Sequence, residues 1–168
     1  MNITLIGMAG AGKSFIGKML ADKLNYSFTD VDEVIEQNNN SKLQPLIDKF
    51  GDDKFIELEE KAILSLELSD NSIIATGGSA IYGEDAMIFL KKNSKVIFLD
   101  ADLKGIKKHL TNADTRGIVG IQNGLDNLFK KRKPIYQKYA DITITMEDFD
   151  SLETISKEII KRTNTTDI

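Results

Sequence analysis

The sequence contains no cysteine among its 168 residues. Disulfide bonds and thiolate metal sites are therefore excluded, which fits a reducing compartment. Basic residues are not in excess either, since 22 Lys and Arg stand against 26 Asp and Glu, for a net charge of −4. Proteins that neutralise the phosphates of nucleic acids need the opposite balance. We therefore expect neither a nucleic acid nor a membrane surface as partner.

Long hydrophobic runs are also absent. No apolar segment approaches the length that spans a bilayer. Because the first apolar strand is predicted to begin at residue 2, we expect no signal peptide. With 41% hydrophobic and 29% charged residues, the composition is that of a globular protein. The length fits one domain over residues 1–168. We expect a cytoplasmic monomer.

The most informative motif is a glycine-rich segment near the N-terminus, Gly7-Met8-Ala9-Gly10-Ala11-Gly12-Lys13-Ser14. It matches G-x-x-x-x-G-K-[ST], which binds nucleotide phosphates. An apolar run, Ile3 to Ile6, precedes it, and an amphipathic run, Phe15–Leu24, follows it. The flanks predict a strand, a loop and a helix whose positive end faces a bound anion.

This loop predicts a nucleoside triphosphate as ligand. Backbone N–H groups around Gly10, Ala11 and Gly12 can wrap a phosphate. We expect Lys13, on a solvent-facing loop, to reach the β- and γ-phosphates, and the Ser14 hydroxyl to bind Mg²⁺. The alternative is a glycine-rich turn before an ordinary helix.

The rest of the chain alternates between short β-rich runs and helical patterns. Four further strands are predicted, at Tyr26–Val31, Ser72–Thr76, Lys95–Asp100 and Asp141–Met146. Helices are predicted at Leu43–Phe50, Asp53–Leu68, Glu84–Lys91, Leu103–Leu110, Leu125–Tyr139 and Ser151–Arg162. Asp53 and Ser151 have the pattern of N-terminal caps. This alternation predicts an α/β fold, a three-layer sandwich with a five-stranded parallel sheet.

Two segments are longer than the connections require. Residues 33–69 form a helical insertion between the second and third strands, and residues 111–124 form a polar stretch with three glycines and Arg116. An enzyme that transfers a phosphoryl group must exclude water, and a mobile loop carrying an arginine suits a lid. The alternative for this stretch is a disordered connector.

Two carboxylates, Asp30 and Asp32, end the second predicted strand. Side chains alternate along a strand, so both would point to one side, at the edge of a parallel sheet that forms ligand crevices. Beside a magnesium nucleotide, one can hold the water shell of the metal, while the other orients an acceptor hydroxyl and takes its proton. The alternative is that Asp32 caps a helix starting at Glu33.

Further candidates lie after the third strand and late in the chain. Gly77 and Gly78 either let the backbone approach a ligand closely or form a plain turn. Arg116 and Arg132 are candidate ligands for phosphate or carboxylate, although a basic run such as 130–133 usually forms a solvated helix face. His109, the only histidine, is interpreted as a helix C-terminal residue outside the site.

The order and spacing of five features resemble those of the shikimate kinase family over essentially the whole chain. These features are the phosphate loop, Asp30-Val31-Asp32, Gly77-Gly78, Arg116 and Arg132-Lys133-Pro134-Ile135-Tyr136. The resemblance implies a nucleoside-monophosphate-kinase-like fold of the P-loop class. It also implies transfer of a phosphoryl group from ATP to the 3-hydroxyl of shikimate, with Mg²⁺, in aromatic amino-acid biosynthesis.

The resemblance implies a role for each matched residue. It assigns ATP binding to Gly10, Ala11, Gly12, Lys13, Ser14 and Arg116, metal binding to Ser14 and Asp30, substrate binding to Asp32, Gly77, Gly78 and Arg132, and catalysis to Lys13, Asp32 and Arg116.

The chain departs from the family pattern Gly-x-x-x-Phe-Arg-x-x-Glu at residues 51–59, where Ile56 replaces the arginine that binds the substrate carboxylate. Losing one charge-assisted hydrogen bond costs roughly 1.5–3 kcal/mol. Two alternatives to shikimate phosphorylation follow. One is phosphorylation of another hydroxy acid or polyol, such as gluconate, and the other is nucleotide binding without catalysis.

Overall fold

A five-stranded parallel sheet forms the centre of the molecule. The computed structural model describes residues 1–110 and 117–164. The strands are β1 (Ile3–Ile6), β2 (Ser27–Asp30), β3 (Ser72–Ala75), β4 (Lys95–Asp100) and β5 (Ile142–Thr145), in the spatial order β2-β3-β1-β4-β5. Each neighbouring pair is parallel. The predicted five-stranded parallel sheet is confirmed.

Helices cover both faces of this sheet. They are α1 (Lys13–Leu24), α2 (Val31–Asn39), α3 (Leu43–Phe50), α4 (Asp52–Leu64), α5 (Glu84–Asn93), α6 (Leu103–His109), α7 (Leu125–Tyr139) and α8 (Leu152–Thr163). Helices α1 and α8 pack against one face and α2 to α7 against the other. Within β4, Val96 and Phe98 contact one layer while Ile97 and Leu99 contact the other, as a strand buried on both faces requires.

Two expectations about local structure are wrong. The insertion after β2 contains three helices, because a helix begins at Val31 directly after the strand. Asp53 does not cap α4, whose N-cap is Gly51 with φ 79°, so Asp53 lies in the first turn, where an acid is stabilised by the helix dipole. In the described part of the chain, no helix combines the length and apolarity needed to cross a membrane.

The strand register places three loops at one edge of the sheet. Leu5 of β1 pairs with Ala75 of β3, and Ala75 pairs in turn with Asp30 of β2. The three strands therefore end together, and the segments that follow them start side by side. Ligands of parallel sheets bind beyond the carboxyl ends of the strands, so this edge is where a site is expected.

The cap of α8 gives a test of the fold. The Ser151 hydroxyl accepts a hydrogen bond from the Thr154 N–H at 3.2 Å, and the Thr154 hydroxyl accepts one from the Ser151 N–H at 3.2 Å. Ser151→Ala should lower the free energy of unfolding by about 1 kcal/mol, measured by urea denaturation. Ser41→Ala, which removes a hydroxyl that caps no helix, serves as the control. Equal stability of the two variants would contradict the role of this cap.

Candidate active site

The loop between β1 and α1 has the conformation that its glycines permit. Gly10 and Gly12 have φ values of 84° and 83°, in the left-handed region that favours glycine, and Gly12 is the N-cap of α1. Lys13 begins the helix and is only 8% exposed, so the expectation of a solvent-facing lysine is wrong. Its Nζ donates to the carbonyl oxygens of Gly7 and Met8, both at 2.8 Å. These two hydrogen bonds hold the loop against the start of the helix.

Asp30 links this loop to the second strand. Its Oδ2 accepts a hydrogen bond from the Ser14 hydroxyl at 2.5 Å, and its Oδ1 accepts one from the Asp32 N–H at 3.0 Å. Asp30 is therefore the N-cap of α2, and the alternative that Asp32 caps the helix is wrong. The expectation that both carboxylates end the second strand and point to the same side is wrong, because β2 ends at Asp30 and Asp32 lies in the first turn of α2.

The turn after β3 brings the backbone close to charged side chains. A Cβ atom added at Gly77 would lie 2.2 Å from Glu59 Oε1 and 2.7 Å from Asp32 Oδ1. One added at Gly78 would lie 2.9 Å from Arg132 Nη1. Any larger residue at position 77 or 78 would displace these charged groups. The two glycines are therefore required by the close approach of the backbone to the side chains, and a plain turn alone would not require them.

Glu59 is the residue that sequence reasoning missed. It is 1% exposed, its Oε2 accepts a hydrogen bond from the Ser79 hydroxyl, and its Oε1 has no hydrogen-bond partner among the described residues. Burial and, to a lesser extent, the charge of Asp32 raise the pKa of Glu59, while the hydrogen bond from Ser79 and the charges of Arg132 and Lys13 lower it, and the net result is a pKa of about 7. Its four-residue spacing from buried Phe55 was a signal for an inward-facing carboxylate.

Arg132 does not belong to a solvated basic face. It is 1% exposed, and its Nη2 donates to the Val119 carbonyl at 2.8 Å, while its Nε has no partner among the described residues. The Tyr136 hydroxyl, one helical turn further, donates to the Gly78 carbonyl at 2.6 Å, and burial raises the pKa of this tyrosine. By contrast, Lys133, which is only partly buried, forms an ion pair with the buried Asp100 at 2.8 Å. The buried guanidinium retains capacity for an anion.

These groups surround one cleft with a cavity of about 240 Å³. The predicted site residues that line it are Gly10, Gly12, Lys13, Ser14, Asp32, Gly77, Gly78 and Arg132. Asp30 reaches it through Ser14, and Ala11 lines an adjoining cavity. Arg116 lies outside the described residues. The structure thus brings nearly every predicted residue to one place.

The described end of the predicted lid lies against the helical insertion. The Gly117 N–H donates to Gln44 Oε1 and the Gly120 N–H donates to Asp52 Oδ2, both at 3.1 Å. Ile118 and Val119 are buried and line the cleft. Residues 117–119 therefore form one wall of the cleft, and the disordered-connector alternative fails for residues 117–120.

A second cavity, of about 600 Å³, adjoins the glycine-rich loop. Gly10 and Gly12 line it together with Phe15, His109 and Phe149. Aromatic and apolar walls next to a phosphate loop suit the flat ring of a nucleobase. Sequence reasoning placed His109 outside the site, yet it lines this cavity.

A phosphate-binding loop at the carboxyl edge of a parallel sheet, opposite a carboxylate and a buried arginine, defines a P-loop phosphotransferase for small molecules. A family model described as shikimate kinase matches residues 9–164. The shikimate kinase of Thermodesulfovibrio yellowstonii is 35% identical over 163 residues, which cover 95% of this chain and 93% of the relative. The shikimate kinase of Persephonella marina is 35% identical over 147 residues, covering 87% and 89%. The chain belongs to the shikimate kinase family.

Solved structures agree with this assignment. Shikimate kinase from Acinetobacter baumannii in complex with shikimate superposes with a TM-score of 0.89 at 27% identity, covering 98% of this chain and 93% of that one. Shikimate kinase from Aquifex aeolicus gives a TM-score of 0.79 at 29% identity, covering 98% and 96%. The predictions of a P-loop kinase fold, an alcohol-accepting phosphotransferase and a shikimate kinase are confirmed.

The buried carboxyl of Glu59 predicts a pH-dependent stability. Because its pKa is raised from 4.5 to about 7 in the folded protein, its contribution to stability is full below pH 4.5 and is lost as the pH rises through 7. Wild type should lose up to about 3 kcal/mol relative to Glu59→Gln over this range. Urea denaturation of both proteins at pH 4.5 and 8.5 measures the difference.

The control for this experiment is Glu57→Gln on the same helix. Glu57 is exposed, and its hydrogen bond with Lys54 lowers its pKa, so its replacement should have a small effect of the opposite sign. If the free energy of unfolding changes equally with pH in Glu59→Gln and in wild type, the pKa of the Glu59 carboxyl is not raised by its burial.

Proposed function

We propose that this protein transfers the γ-phosphoryl group of ATP to the 3-hydroxyl of shikimate. One observation carries the proposal: a single cavity is lined by Lys13, Asp32 and Arg132. These side chains match the three parts of the reaction, which are an anionic phosphoryl donor, a hydroxyl nucleophile and an acceptor with a carboxylate. The shikimate kinase of Acinetobacter baumannii, whose structure contains bound shikimate, has the same fold.

ATP would bind across the two cavities that share the glycine-rich loop. The backbone of Gly10, Ala11 and Gly12 would surround the triphosphate, with the Ala11 N–H, which donates to the Met8 carbonyl at 3.2 Å, helping to hold the loop, and the base would enter the cavity of Phe15 and His109. Lys13 would exchange one of its backbone carbonyl partners for a phosphate oxygen and neutralise charge during transfer. Arg116 would add a second positive charge from the lid.

Mg²⁺ fits the oxygen groups at the end of β2. Magnesium in phosphotransferases is held by one or two protein oxygens together with phosphate oxygens and water. Ser14 Oγ and Asp30 Oδ2 lie 2.5 Å apart beside the phosphate loop and would supply such a pair. Among the described residues no cluster of three or more acidic, His or Cys side chains forms a separate metal cage. The ion would neutralise the charge of the phosphates.

Asp32 would act on the acceptor. Its carboxylate lines the cleft with the phosphate loop, half-buried at the start of α2. There it accepts a hydrogen bond from the substrate hydroxyl and takes its proton as the oxygen bonds to the γ-phosphorus and ADP leaves. The neighbouring Glu59, with a raised pKa, carries little competing charge at acidic pH.

Arg132, Gly77 and Gly78 would hold the rest of the acceptor. The Nε of the buried Arg132 has no hydrogen-bond partner among the described residues, so a carboxylate bound beside it would stabilise the guanidinium. The absence of side chains at Gly77 and Gly78 would leave room for the ring of the acceptor. We further propose a monomer acting in the cytoplasm, where ATP is available.

The substrate is tested by a coupled ADP-release assay with shikimate, gluconate and no acceptor. The proposal expects shikimate-dependent ADP release with formation of shikimate 3-phosphate, identified by ³¹P NMR. Faster turnover with gluconate or a polyol than with shikimate would show that shikimate is not the preferred substrate. Nucleotide binding without turnover on any acceptor would support a non-catalytic protein.

Asp32→Asn tests the role of the carboxylate. Turnover should fall by roughly 10²–10⁴, the range of general-base catalysis, with little change in the affinity for ATP. Thermal stability should hold, because Asp30 and not Asp32 caps α2. A fully active variant would refute the proposed proton acceptor, and Asp30→Asn, which disturbs both cap and metal site, is the informative comparison.

A further inference from the structure

A third cavity, of about 580 Å³, lies beside the substrate cleft, and Ile56 forms part of its wall. Val119 lines both spaces, so the cavity and the cleft share a boundary. Ile56 itself does not line the cleft of about 240 Å³. The aliphatic side chain thus leaves open space where a long cationic side chain at this position would reach toward the acceptor.

A different cation faces this space. Lys131, on α7, lines the same cavity, and its Nζ lies 5.7 Å from the centre of the Tyr82 ring. The guanidinium carbon of Arg132 lies 5.4 Å from the centre of that ring. One half-buried aromatic ring therefore contacts both the buried arginine of the cleft and a lysine on its outer side.

Lys131 is available for a ligand, unlike several of its neighbours. Lys133 pairs with Asp100 at 2.8 Å, and Lys107 pairs with Asp126 at 2.8 Å. In the described part of the chain, no carboxylate lies within ion-pair distance of Lys131. An exposed cation on a ring face is held only weakly, so an anion near the ring can draw it away.

The acids that line this cavity do not neutralise the lysine. Asp52 and Asp53 both contribute to the wall, at the start of α4. Asp52 Oδ2 already accepts hydrogen bonds from the Gly120 N–H at 3.1 Å and from Gln122 Nε2 at 2.8 Å. These bonds attach residues 120 and 122 to the start of α4.

We propose that Lys131 is a specificity-determining residue that supplies, beside Arg132, the second positive charge for the carboxylate of the acceptor, in place of a cation at position 56. The proposal rests on the proposed function, since it concerns the shikimate carboxylate. Lys131 moves from the Tyr82 ring to the carboxylate held by Arg132, with the flexible stem of a lysine making the adjustment. Ile56 then costs less substrate affinity than its aliphatic side chain alone predicts.

The test compares Lys131→Gln with Lys130→Gln in steady-state kinetics. Both variants remove one positive charge from α7, but Lys130 does not line the cavity. Lys131→Gln should raise the KM for shikimate about tenfold, with kcat and the KM for ATP little changed. Lys130→Gln should leave all three constants near those of wild type. Lys131→Arg, which keeps the charge, should retain most of the affinity.

Two further arms separate this role from a general charge effect. With shikimate methyl ester, which lacks the anionic charge, the difference between wild type and Lys131→Gln should disappear. Ile56→Arg should lower the KM about tenfold in the Lys131→Gln background and change it little in wild type, because one added cation replaces the other.

The outcomes distinguish the two proposals. If wild type phosphorylates shikimate and Lys131→Gln has an unchanged KM, or shifts it as much as Lys130→Gln does, the role of Lys131 is refuted while the proposed function stands. If wild type binds ATP but does not phosphorylate shikimate, the proposed function fails and the role of Lys131 fails with it.

Discussion

The register of three parallel strands is the constraint on which the site depends. Because β1, β2 and β3 end at the same level, the glycine-rich loop, Asp30 and the turn at Gly77 start within reach of one another. Each element alone has an ordinary structural explanation. Their common position gives them a shared function, since a phosphate loop, a carboxylate and a close backbone approach form a phosphoryl-transfer site only at one edge.

Buried charge around the Gly77-Gly78 turn is the second determinant of the site. Glu59 and Arg132, each 1% exposed, lie against these two glycines, and each has one polar atom without a partner in the described parts of the chain. Buried charges without complete pairing destabilise a fold. Arg132 lines the cleft, so a bound acceptor would complete its pairing, and the cost in the free protein would contribute to affinity and orientation in the complex.

Much of this could be predicted from the sequence, because the phosphate-loop motif and the strand–helix alternation are local signals. The bounds of β4, α3 and α7 agree with the predictions to the residue. Most of what failed depended on tertiary context. Lys13 and Glu59 are buried and His109 lines a cavity, which follows from packing between segments distant in sequence. The cap of α2 is a local exception, because the helix begins directly after the strand and Asp30 instead of Asp32 becomes its N-cap. The compensation between Ile56 and Lys131 likewise requires that α4 and α7 be seen together.

The most direct test of whether this loop binds the phosphoryl donor is the shikimate-dependent ADP release of the Lys13→Met variant. Methionine keeps much of the apolar stem within the loop but removes the charge that the phosphoryl group requires. The Lys13→Met protein should remain folded, as judged by circular dichroism, while its turnover falls by about 10²–10³ or more. A folded Lys13→Met protein with near-normal turnover would contradict the conclusion that this loop carries the phosphoryl donor.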